Sequence, residues 1–261
     1  MLSKLLKHEF KATARLILPL YLVLFVLTIV ARFVLSLDLK GALSVITGFA
    51  TIAYVTSILA IAVVSFVIII LRFYKNLMTD EGYLMFTLPV KPGQLINSKL
   101  LVSIVWNVVS LLFILISLFA LFYTKETYSM LIDAFLRFLS EMRLVFGPFH
   151  MNLLIVEAIL LMILGLINNI LVIYVSIAIG QMFNSHKVLG SFAAYIGIST
   201  LIQIIASVGF ITLGILFDTT FNEISSLSKL ILPITLAFTL ISNVLFYAVT
   251  DLIFKRKLNL L

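Results

Sequence analysis

Residues 41–71 read GALSVITGFATIAYVTSILAIAVVSFVIIIL, about thirty residues without one charged side chain. A hydrocarbon core about 30 Å thick is crossed by roughly 20 apolar residues in a helix, because a helix pairs every backbone N–H and C=O within its own segment. Five further stretches meet that requirement: approximately Leu16 to Leu37, Leu100 to Tyr123, Met151 to Gly180, Ser191 to Phe217 and Leu230 to Phe254. The pattern predicts an all-α polytopic membrane protein of six spans, with residues 1–261 as a single transmembrane domain. The second and fourth spans, at about thirty residues, exceed a straight crossing by roughly 15 Å. They are expected to tilt, kink or project.

Composition agrees with this reading. Hydrophobic residues make up 63% of the chain and charged residues 11%, where soluble domains have about half and a quarter. The net charge of +7 would suit nucleic acid only if the cations were gathered on one solvated surface, and here they are spread between apolar runs. No nucleic-acid partner is expected. Cysteine is absent, which excludes disulfides and thiolate metal sites.

Basic residues mark the retained side of a membrane. With the N-terminus inside, twelve of the 18 Lys and Arg fall on the inner side and six outside. The outer six (Arg32, Lys40, Lys125, Arg137, Arg143 and Lys229) are matched by acids such as Asp38, Glu126 and Asp133. Both termini are therefore expected in the cytoplasm. The first span lacks a small-residue cleavage site and reads as a retained anchor. Arg32 would mark where its lipid-embedded part ends, snorkelling to the outer headgroups.

Two amphipathic pieces flank the spans. In residues 1–15, MLSKLLKHEFKATAR, helical geometry gathers Lys4, Lys7, Lys11 and Arg15 within roughly 80° and sets Leu2, Leu5, Leu6 and Phe10 apart from them. An interfacial helix along the inner headgroups is expected. Within residues 124–150, YSMLIDAFLRFLSEMRLVFGP places Asp133, Arg137 and Glu141 on one narrow face. This piece is too short and charged to span, and is expected on the outer leaflet or capping the bundle, ended by Gly147 and Pro148.

The largest inner loop, residues 72–99, contains DEGYLMFTLPVKPGQ at positions 80–94. A loop that only crosses water would be polar. This one carries Tyr83, Leu84, Met85, Phe86 and Leu88. Asp80 can cap a short helix, Pro89 stops it, and Pro92 starts the third span. The apolar side of that helix must bury against its own subunit, the lipid surface or a soluble partner.

The segment FYKNLMTDEGYLMFTLPVKPGQLINSKLL resembles the same region of bacterial ABC exporter permeases of the type-2 class, six-span subunits whose ATPase is a separate polypeptide. The order of elements matches along the whole chain, although only this motif is specific. The resemblance implies that the short helix after the second span is a coupling helix seated in a cleft of the ATPase. Asp80, Glu81, Tyr83, Phe86 and Leu88 would be the coupling residues. It further implies a second permease copy or paralogue, ATP and Mg on the partner ATPase and no cofactor on this chain, and a bacterial plasma-membrane location. Among such permeases the nearest likeness is to exporters of antimicrobial or cytolytic peptides, including phenol-soluble modulins. Drug-like or lipid-like cargo is the alternative within the class.

The chain has no GxxxxGK[ST] loop of its own. His8, His150 and His186 fall in three separate flanks, so no catalytic or metal-ligating cluster is expected. Inside the spans, Glu157 sits about two turns from the outer end of the fourth, where an ionisable residue raises a functional hypothesis. A cationic substrate, Arg143, or a protonated interhelical bond are its open partners. Asn168 and Asn169 read as interhelical glue or part of a substrate path, and Asn107, Gln203 and Asn243 as glue. Asp251 is expected to pair with Lys255 at i, i+4. Trp106 reads as packing. An ion-coupled secondary transporter using Glu157 is the rival from another class, although no internal repeat supports it. A purely structural membrane partner is a third.

Overall fold

The computed structural model describes residues 2–37, 41–78, 92–183, 186–216 and 224–256. Among them the elements are α1 (Leu2–Ser36), a 3-10 turn (Gly41–Leu43), α2 (Ser44–Met78), α3 (Pro92–Phe122), α4 (Lys125–Gly180), α5 (Lys187–Leu216) and α6 (Ile224–Arg256). No strand occurs among the described residues. Among the described residues six helices are long and apolar enough to cross a bilayer, each overlapping one of the six stretches read from sequence, with the first and third starting earlier, at Leu2 and Pro92 rather than Leu16 and Leu100. Contacts divide the chain into two compact units, one of Met1–Lys75 with Asn97–Phe135, the other of Asn76–Ile96 with Leu136–Leu261.

In the first unit α1, α2 and α3 pack as a three-helix bundle whose register is set by polar contacts. Residues of α1 meet residues of α3 about ninety positions later: Glu9 with Lys99, Thr13 with Trp106, Tyr21 with Ser110, Thr28 with Ser117 and Arg32 with Leu121. A constant offset means that α1 and α3 run parallel. Against α2 the numbering runs in opposite senses, Glu9 with Arg72 near one end and Ser117, which also holds Thr28, with Tyr54 near the other. Helix α2 is therefore antiparallel to both. Ile17, Tyr21, Leu24, Tyr54, Ile61, Val102 and Trp106 form the apolar core between them.

Residues 2–15 do not form a helix of their own. Helix α1 runs unbroken for 35 residues, about 52 Å at 1.5 Å per residue. One buried seam, Glu9, Thr13, Ile17, Tyr21, Leu24, Thr28 and Ala31, continues through the segment into the span. Steps of three and four keep a single face inward.

In α4, Gly147 takes φ 74° and ψ 158°, which only glycine adopts without strain. The helix breaks there into an arm, residues 125–146, and the fourth span, at the position where the sequence predicted an end. Thr124 caps the arm, its Oγ1 accepting the Thr127 N–H at 3.0 Å. The arm's apolar side chains, Met130, Leu131, Phe135 and Phe138, are exposed rather than buried by the chain.

In the second unit, residues 170–178 of α4 are buried on every face. At the end of α4, a Cβ on Gly180 would lie 2.0 Å from Ser191 Oγ and 2.4 Å from its backbone nitrogen, so the α4–α5 turn closes backbone against backbone. The most apolar stretch of α5, by contrast, has no buried residue.

Candidate functional site

The expected coupling residues Asp80, Glu81, Tyr83, Phe86 and Leu88 lie outside the described residues. Their two stems are described. Helix α2 enters the segment at Met78 and α3 leaves it at Pro92, the position from which the sequence predicted the third span to start. Pro suits this first helical position because its missing N–H has no partner there in any case.

Two turns from the segment on either side stand Arg72 and Lys99, and both reach the same carboxylate. Lys99 Nζ donates to Glu9 Oε1 at 2.6 Å, and Arg72 Nε to Glu9 Oε2 at 3.4 Å. Glu9 is only 7% exposed and Lys99 5%. A buried charge is tolerated only when paired and hydrogen-bonded, so the three groups depend on one another. The consequence is geometric: the stems of the 79–91 segment are tied to each other through α1.

Above this cluster the bundle carries a ladder of hydrogen bonds. Trp106 Nε1 donates to Thr13 Oγ1 at 2.7 Å, and Thr13 in turn donates to the Glu9 carbonyl at 2.8 Å. Tyr21 and Ser110 share a bond of 2.7 Å, and Ser117 is bonded to both Thr28 and Tyr54 at 2.8 Å. At the far end Arg32 donates to the carbonyls of Leu121 and Tyr123, groups that the C-terminus of α3 leaves without helical partners. The arginine expected to snorkel to headgroups thus caps a neighbouring helix.

Sequence reasoning passed over this ladder, yet a signal was present. Ser103, Ser110 and Ser117 recur every seven residues, two helical turns, and all are buried. Glu9 likewise falls outside the arc of Lys4, Lys7, Lys11 and Arg15, toward the apolar side of α1. An acid there needs a cation from elsewhere in the fold.

The polar residues of the second unit separate into four cases. Asn168 Nδ2 donates to Ser242 Oγ at 2.8 Å and Asn243 Oδ1 at 2.9 Å, while Asn243 Nδ2 donates to the Leu164 carbonyl at 3.0 Å. This ties α4 to α6, as glue. Asn169, one position on, points away and is exposed. Glu157 is half-buried on the same helical face as Asn168 and has no ion pair or hydrogen bond among the described residues, Arg143 included. Asp251 pairs with Lys255 across one turn. In the first unit, Asn107 bonds its own helix at the Ser103 carbonyl, 2.9 Å away.

Compared with models of protein families, with curated proteins and with solved structures, the chain finds no match.

Proposed function

We propose that this chain is the membrane-spanning permease subunit of an ATP-driven exporter. A separate ATPase docks on residues 80–94, and a second permease copy or paralogue completes the pathway. In this reading both termini face the bacterial cytoplasm, nucleotide and Mg are held by the partner, and the cargo is an amphipathic antimicrobial or cytolytic peptide. Six spans are few to enclose a pathway, whereas about twelve suffice.

One observation carries the reading beyond the sequence motif: the stems of the docking segment share the buried Glu9 carboxylate through Arg72 and Lys99. A push on a free loop dissipates in solvent. A push on a segment whose two stems are cross-linked to α1 moves three helices together.

The test is affinity capture of the chain from native membranes, with identification of bound subunits, beside Phe86→Ala and Glu81→Ala. Capture of a P-loop ATPase by the parent is expected. Phe86→Ala should weaken it about thirty-fold, the loss of an anchor of about 2 kcal/mol, with insertion intact. Unchanged capture by both variants would remove the docking role. A second reading, an ion-coupled transporter, is favoured by the unpaired Glu157; it predicts transport in proteoliposomes of the chain alone, driven by a gradient without ATP.

A further inference from the structure

Between the N-terminal part of α1 and α3 runs a groove of about 550 Å³. Its floor is apolar: Leu6 and Phe10 from α1, and Leu101, Val102 and Val105 from α3. Lys7 and Lys11, one turn apart on α1, stand on its rim. Both lysines are exposed and have no hydrogen bond or ion pair among the described residues. The acid nearest them in sequence, Glu9, faces the opposite way and is held by Lys99 and Arg72.

We infer that this groove binds an anionic glycerophospholipid from the leaflet on the N-terminal side of the bundle. One acyl chain lies along Leu101, Val102 and Val105, and the headgroup phosphate is held by Lys7 and Lys11, with Lys4 and Arg15 adding to the local field. The charge is complementary: cations without an acid draw anionic rather than zwitterionic headgroups. The floor requires an apolar cover as well, since Phe10, Leu101 and Val105 are 41 to 44% exposed. A second copy of the chain fits poorly, because a two-fold contact would set each lysine row against its own counterpart. The site follows from the membrane fold and does not depend on the exporter reading.

The protein carries its own reporter. Trp106 is the single tryptophan; its ring stacks on Phe10 with centroids 4.9 Å apart, immediately behind the groove. The full chain is placed in phosphatidylcholine nanodiscs containing either phosphatidylglycerol or phosphatidylcholine with brominated acyl chains at equal mole fraction. Brominated phosphatidylglycerol is expected to quench Trp106 more strongly, and unlabelled phosphatidylglycerol to restore the emission. The Lys7→Gln/Lys11→Gln double variant should lose the preference, by roughly five-fold for each lysine. Arg143→Gln, which removes a charge elsewhere, should keep it. Equal quenching by the two lipids in the parent protein, or a preference that survives the double variant, overturns the assignment. So does efficient disulfide dimerisation of Leu101→Cys, the sole thiol in a chain without cysteine, because the groove would then be covered by another copy.

Discussion

Glu9 is buried with one cation at 2.6 Å and another at 3.4 Å, so its environment tolerates changes made in pairs better than changes made singly. Lys99→Met leaves a buried carboxylate underneutralised, with only the partly exposed Arg72 beside it, and should destabilise the chain by about 3–5 kcal/mol. Glu9→Gln with Lys99→Met removes both charges and should recover most of that loss. Thermal unfolding in detergent measures the two, and a double variant no better than the single would show that the charges are not coupled. Arg32 sits at the opposite end of the bundle and is exposed, so its bonds to Leu121 and Tyr123 are partly shared with solvent. Arg32→Gln should cost about 1–2 kcal/mol, seen as faster hydrogen exchange in the last turn of α3.

Among the elements, α4 depends most on glycine, and for two different reasons. At Gly147 the backbone conformation demands it; at Gly180 the space does. Because the atoms a Cβ would meet at Gly180 include the Ser191 backbone nitrogen at 2.4 Å and Cα at 2.6 Å, no side-chain rotation relieves the overlap. Gly180→Ala should therefore lower stability by about 1–3 kcal/mol or more. Gly197 in α5 has nothing within 4 Å of the same position, and Gly197→Ala should be neutral or gain up to about 1 kcal/mol from helix propensity. Equal melting temperatures for the two variants would mean that the α4–α5 turn is looser than its geometry. Helix α1 makes the complementary point. Its first four turns have the composition of a surface helix, but the seam of Glu9, Thr13 and Ile17 continues inward and Phe10 stacks on Trp106.

At the scale of the molecule, the exposed apolar surface of α5 and of the α4 arm suits an apolar surrounding such as a bilayer rather than water. Glu157 is the half-buried carboxylate in the fourth span left without a partner among the described residues. If it faces the cargo path, Glu157→Gln should change export of a cationic peptide roughly ten-fold, the effect of one charge-assisted contact of about 1.4 kcal/mol, with melting temperature unchanged. Peptide efflux into inverted vesicles reads the first and thermal unfolding the second. A loss of stability with transport intact would place Glu157 among the structural groups.

From the sequence alone follow six helical spans, the stop at Gly147, the start at Pro92 and the Asp251–Lys255 pair. All are local: backbone pairing in lipid, a missing donor, a residue without Cβ, a contact one turn along. The polar ladder between α1, α2 and α3 is decided only in three dimensions, because its partners lie 63 to 93 residues apart. Serines and threonines inside apolar runs look alike until a neighbouring helix chooses which of them meet. The same holds for the two kinds of lysine, since burial against Glu9 separates Lys99 from Lys7 and Lys11, and charge counted along a chain carries no record of depth.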